Sequence, residues 1–116
     1  MTVLVIDSVN GELGRHAYSQ LKELGLEAEK READFMDVPG ILSRSQADSY
    51  MVISDKAEDY SDPVIEKILQ VEIEKGMIEK VFLDSTGKSQ EIFERQGRRK
   101  AGKAAENLAD RLKEEQ

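Results

Sequence analysis

The chain has 116 residues, enough for one hydrophobic core and too few for two, so a single domain over 1–116 is expected. Its 17 Lys and Arg stand against 24 Asp and Glu, a formal net charge of -7, which argues against general binding to nucleic acid or to an anionic membrane surface. There is no cysteine and one histidine, which removes disulfides, thiol catalysis, thiolate metal sites and multi-histidine metal sites.

The first element is a strand, Thr2 to Asp7, whose core is the apolar run Val3-Leu4-Val5-Ile6. The N-terminus enters it with no basic segment or cleavage site, and no apolar stretch approaches the roughly 20 residues of a membrane span, so a cytoplasmic location is expected. Ser8-Val9-Asn10-Gly11 reads as a turn. A helix follows from about Glu12 to Leu24, with Leu13, Ala17, Leu21 and Leu24 on one face and Gly25 as its C-cap. Residues 26–34 alternate weakly and carry charges that suit an edge strand. Asp37-Val38-Pro39 opens a short helix through about Ser45, with Ile41 and Leu42 inward.

Ser49 to Ser54 reads as the central strand, followed by a polar loop from Asp55 to Ser61. Asp62-Pro63 is a helix start, since Asp caps and Pro at the first helical position loses no hydrogen bond. Val64, Ile65, Ile68, Leu69 and Ile73 form its apolar face, and Gly76 stops it. A fourth strand runs from Ile78 to Leu83. Ser89 to Glu94 is either a short fifth strand or the start of one long helix, with the helix preferred. Ala101, Ala104, Ala105, Leu108 and Leu112 mark the final amphipathic helix. Gly97 and Gly102 weaken a continuous helix by about 1 kcal/mol each relative to alanine, so a break near Gly97 is expected.

Three apolar runs end on an acid: Asp7, Asp55 after Tyr50-Met51-Val52-Ile53-Ser54, and Asp84 after Val81-Phe82-Leu83. Such runs are how strands buried on both faces read. Strands alternating with helices imply a mainly parallel sheet. The expected architecture is an α/β three-layer sandwich of four or five strands in the order 2-1-3-4, with a fifth at the end if present. Ligands bind at the carboxyl edge of such sheets, which places the three acids on one candidate edge.

On this layout and these residues the chain resembles the flavodoxin-like and response-regulator receiver folds. Receivers carry acids after the first strand, a phosphoacceptor aspartate after the third, and Ser or Thr after the fourth. Asp7, Asp55 and Ser85 or Thr86 stand at those places. The resemblance implies weak Mg²⁺ binding through the oxygens of Asp7 and Asp55, and names Asp55 as the phosphoacceptor. Two features depart from the receiver pattern. Ser8 stands where a second adjacent acid is usual, and no lysine clearly has the context that follows a fifth strand.

Flavodoxins cradle the FMN phosphate in a hydroxyl- and glycine-rich loop after the first strand. In the matching stretch Ser8-Val9-Asn10-Gly11-Glu12-Leu13, an acid and a leucine replace what a phosphate needs. Tyr60 is the one candidate for stacking a flavin, and nothing suitable follows Asp84, so FMN binding is not expected. Read as a dinucleotide fingerprint, the same turn has Val9 in place of the first glycine, which leaves Gly11 and Gly14 a structural role in the turn and in close helix packing. Gly87-Lys88-Ser89 echoes the end of a phosphate loop without its opening glycine. His16 reads as a solvated or capping residue.

The most unusual charge feature is Arg95, Arg98, Arg99, Lys100 and Lys103, with no acid between residues 95 and 105. Cations toward the amino end of a helix oppose its dipole, which points to a docking surface for an acidic protein partner or a phosphate-rich ligand. A solvated face is the plainer alternative. Together these features lead to a small non-enzymatic regulatory or interaction domain, receiver-like, with weak Mg²⁺ binding at the carboxyl edge. The alternatives are an FMN-binding electron-transfer module of flavodoxin type and an orphan receiver phosphorylated on Asp55.

Overall fold

A computed structural model describes residues 2–8, 12–54, 63, 66–67, 69–70, 78–83 and 87–114. Four strands, β1 (Thr2–Asp7), β2 (Glu27–Glu32), β3 (Ser49–Ser54) and β4 (Ile78–Phe82), form one parallel sheet in the order β2-β1-β3-β4. This is the flavodoxin-like layout that the alternation of elements predicts. Three α-helices are bounded by described residues: α1 (Leu13–Glu23), α2 (Val38–Arg44) and α3 (Gln90–Glu114), with a short 3-10 turn at Phe35–Asp37 before α2. Pro63, Glu66, Lys67, Leu69 and Gln70 are also helical.

The two central strands explain why their sequences lack polar alternation. Val3 and Val5 of β1, with Met51 and Ile53 of β3, pack under α1 and α3. Leu4 and Ile6, with Tyr50 and Val52, face Phe35, Val38, Ile41 and Leu69 on the opposite side. Both faces are therefore covered, and every residue from Val3 to Asp7 and from Ser49 to Ser54 is buried. In β2 only Ala28 is buried, as its edge position requires.

Local signals set the ends of the helices. Gly25 adopts φ +83°, the left-handed conformation that side chains disfavour. Leu26 N–H then donates to Leu21 O at 3.1 Å, and Gly25 N–H to Lys22 O at 3.0 Å, which closes α1 in a Schellman motif. Residues 89–94 do not add a strand, since α3 begins at Gln90 and Phe93 points into the core. The break expected near Gly97 is absent, and α3 is continuous for 25 residues. The reason is packing: α3 crosses α1 at Gly97, where a Cβ would collide with the buried Leu13 side chain. Close approach of two helices compensates for the weak helix propensity of glycine.

Candidate functional site

Because the strands are parallel and in register, the carboxyl ends of β1, β3 and β4 lie along one edge of the sheet. Asp7, Ser54 and Phe82 end the strands there. Asp55, Asp84, Ser85 and Thr86, like Gly11 and Tyr60, lie outside the described residues. The sequence-derived pair Asp7 and Asp55 is thus represented by Asp7.

Asp7 is 1% exposed, and both of its carboxylate oxygens serve the backbone. Oδ1 accepts from Ser8 N–H and Oδ2 accepts from Gly14 N–H, each at 2.9 Å. The second bond has a clear local cause. Helix α1 starts at Leu13, and its cap residue Glu12 makes no side-chain capping bond. Asp7 reaches across from β1 and satisfies the orphan amide of Gly14, placing a carboxylate at the positive end of the helix. A Cβ on Gly14 would stand 2.5 Å from Asp7 Oδ2 and 2.8 Å from Asp7 Cβ, so only glycine permits this approach. Gly14 is therefore a packing glycine, as the dinucleotide comparison implied. Glu12 is engaged elsewhere, accepting from Gln90 Nε2 at 2.8 Å. No group of three or more His, Asp or Glu side chains among the described residues is arranged to hold a metal ion.

His16 occupies the seam between α1 and α3, neither free in solvent nor capping. Its Nε2 lies 3.4 Å from Glu94 Oε1, and Arg15 also pairs with Glu94. Burial lowers the His16 pKa, the Arg15 charge lowers it further, and Glu94 opposes both. Across the fold, Glu79 of β4 pairs with Arg111 of α3 at 2.5 Å. Burial raises the Glu79 pKa, and Arg111 partly restores it.

The five cations of the sequence analysis all lie exposed on α3 between its second and fourth turns. The helix starts at Gln90, so they sit beyond its first turn, where the dipole has largely faded. Mutual repulsion disfavours them instead: Arg95, Arg99 and Lys103 recur every four residues along one face. Arg95 is offset by Glu91 at 3.3 Å. Arg98, Arg99, Lys100 and Lys103 form no ion pair or side-chain hydrogen bond with any described residue.

Beside this face runs a groove of about 580 Å³ between α3 and β4. Val81, Leu83 and Ala104 supply its apolar part, while Arg99, Lys100 and Lys103 line its cationic side. Sequence spacing made the cation cluster legible but not the groove, because which strand lies beside residues 96–107 is decided by tertiary packing. A second recess of about 450 Å³, lined by Glu91, Glu94, Arg95, Arg98 and Arg99, is mixed in charge.

No helix among the described residues is long and apolar enough to cross a membrane. No family model, curated protein or solved structure matches the chain.

Proposed function

We propose that the chain is a small non-enzymatic regulatory or interaction domain, receiver-like in layout, whose docking surface is the cationic face of α3. The observation that carries this reading is the run of exposed cations at Arg98, Arg99, Lys100 and Lys103, which have no ion-pair partner among the described residues. Neighbouring like charges at helical spacing each cost about 0.2–0.5 kcal/mol. A fold that keeps them gives up stability at a surface where almost any neutral residue would serve, which is the pattern of a functional site.

The carboxyl edge supports a subsidiary role. Asp7 spends its charge on two backbone amides, so this acid already has a structural duty. Weak Mg²⁺ binding shared with Asp55 would leave most of the ion's shell as water.

Selection from a random peptide display library tests the leading reading. The native chain should enrich sequences rich in Asp and Glu. A variant with Arg95, Arg98, Arg99, Lys100 and Lys103 changed to Gln should fold and lose that enrichment. Enrichment without acidic bias, or unchanged in the variant, refutes the reading.

A further inference from the structure

We infer that the groove between β4 and α3 binds an acidic segment of a partner protein, with acidic side chains on Arg99 and Lys103 and an apolar side chain on Leu83. This rests on the docking role of the α3 face and fixes which part of that face is used and by what chemistry.

Three observations converge on it. The groove combines an apolar part, partly exposed at Leu83 over a floor of buried Val81 and Ala104, with cations that have no described partner, so a ligand of charge alone would leave Leu83 unused. Ile92, 46% exposed, lies on the same helical stripe as Gln96, Arg99 and Lys103, about one turn before Gln96. Arg99 and Lys103 are four residues apart, a rise of about 6 Å along the helix. Two residues of extended chain span nearly the same distance, so acids at alternate positions of an extended segment meet both cations.

Charge complementarity selects the partner. The α3 wall of the groove is a cationic strip on a chain of net charge -7, and the one acid among the described residues that lines the groove, Glu79, is paired with Arg111. A long polyanion such as nucleic acid would run off the strip onto acidic surface and be repelled there. A short acidic segment fits within the strip, and the surrounding acids turn away misplaced anions.

Nuclear magnetic resonance titration with short synthetic peptides tests the inference. A peptide alternating glutamate and valine should give saturable shifts at Val81, Leu83, Gln96, Arg99 and Lys103. A glutamate and serine version should bind clearly more weakly. Arg99→Glu with Lys103→Glu should weaken the glutamate and valine peptide by about tenfold or more, with binding in native protein falling as salt rises. Both positions are exposed, so these variants should fold. Arg99→Gln with Lys103→Gln supplies the same test without charge reversal.

Equal binding of the serine version overturns the inference, because charge alone would suffice. So does tighter binding of an oligothymidylate at the same residues. If Arg95→Glu with Arg98→Glu abolishes binding and the Arg99 and Lys103 pair does not, the groove falls while the α3 face remains the docking surface. If neither pair matters, or no peptide binds, both readings fall.

Discussion

Gly97 and Gly102 offer a controlled comparison within one helix. Both stand in the interior of α3, so replacing either with alanine gains about 1 kcal/mol of helix propensity. Their surroundings differ. A Cβ at Gly102 would meet nothing within 4 Å, whereas one at Gly97 would collide with Leu13 and lie 3.8 Å from Leu83 Cδ2. Leu13 is 1% exposed and cannot swing aside without disturbing the core. Overpacking of this kind costs about 1–3 kcal/mol. Gly102→Ala should therefore stabilise by about 1 kcal/mol. Gly97→Ala should range from neutral to about 2 kcal/mol destabilising, which separates the two variants by about 1–3 kcal/mol. With a urea slope of about 2 kcal/mol per molar, a gap in the middle of that range displaces their unfolding midpoints by about 1 M. Adding Leu13→Ala to Gly97→Ala should cost less than the two changes summed, since removing the leucine removes the collision. If both glycine variants raise the midpoint equally, close approach is not the reason for Gly97.

Three further outcomes follow from the site geometry. Asp7→Asn should destabilise by about 1–3 kcal/mol in urea melts, because its amide nitrogen would face a backbone N–H where an oxygen now accepts; an unchanged midpoint would contradict the capping role. Burial and the Arg15 charge make His16 hold a proton less readily in the folded chain than an ordinary histidine of pKa 6.5, so stability should fall as pH drops through about 6.5 toward the lowered folded value, then level. His16→Gln should flatten that part of the curve, and a native chain that gains stability on acidification there would contradict the burial of His16 among Arg15, Glu94 and Arg98. Mg²⁺ should shift resonances first at Ser8, Ser54 and Lys56, and Asp55→Asn should abolish those shifts with the fold intact; shifts confined to the β2 glutamates or to Glu114 and Glu115 would show an ion visiting charged surface.

Much of the architecture was legible because local and tertiary preferences agree. The apolar runs of β1 and β3 have no polar face to offer, so they had to be central and covered on both sides. The charges of β2 suited only an edge. Gly25 ended α1 because a glycine after an amphipathic run supplies the left-handed residue that a Schellman cap requires. Reading stopped where a residue's meaning depends on a distant neighbour. Gly97 looked like a helix breaker because the sequence does not show α1 across from it. The capping duty of Asp7 was not legible because the sequence does not show that the α1 cap is missing its own bond and that Gly14 opens the way. His16 looked solvated because its partner Glu94 is far along the chain.

The two faces of α3 also separate the residues that close the core from those of the proposed docking surface. Phe93, Gly97, Ala101, Ala104, Leu108 and Leu112 close the core against the sheet and α1. Arg95, Arg99 and Lys103 project from another side of the same turns. Ala104 is the exception, since it is buried yet also lines the groove, and changes there confound the two effects. Substitutions at Arg99 leave the core untouched and relieve repulsion. Arg99→Glu converts two like-charge neighbours, Arg95 and Lys103, into attractive ones, at about 0.2–0.5 kcal/mol for each interaction changed. The variant should melt higher than the native chain while binding the acidic peptide less well. A structural role for Arg99 predicts the reverse order of stability. One substitution thus distinguishes a cation kept for folding from one kept for recognition: a lower melting point for Arg99→Glu would end the case for this face as a docking surface held at a cost to the fold.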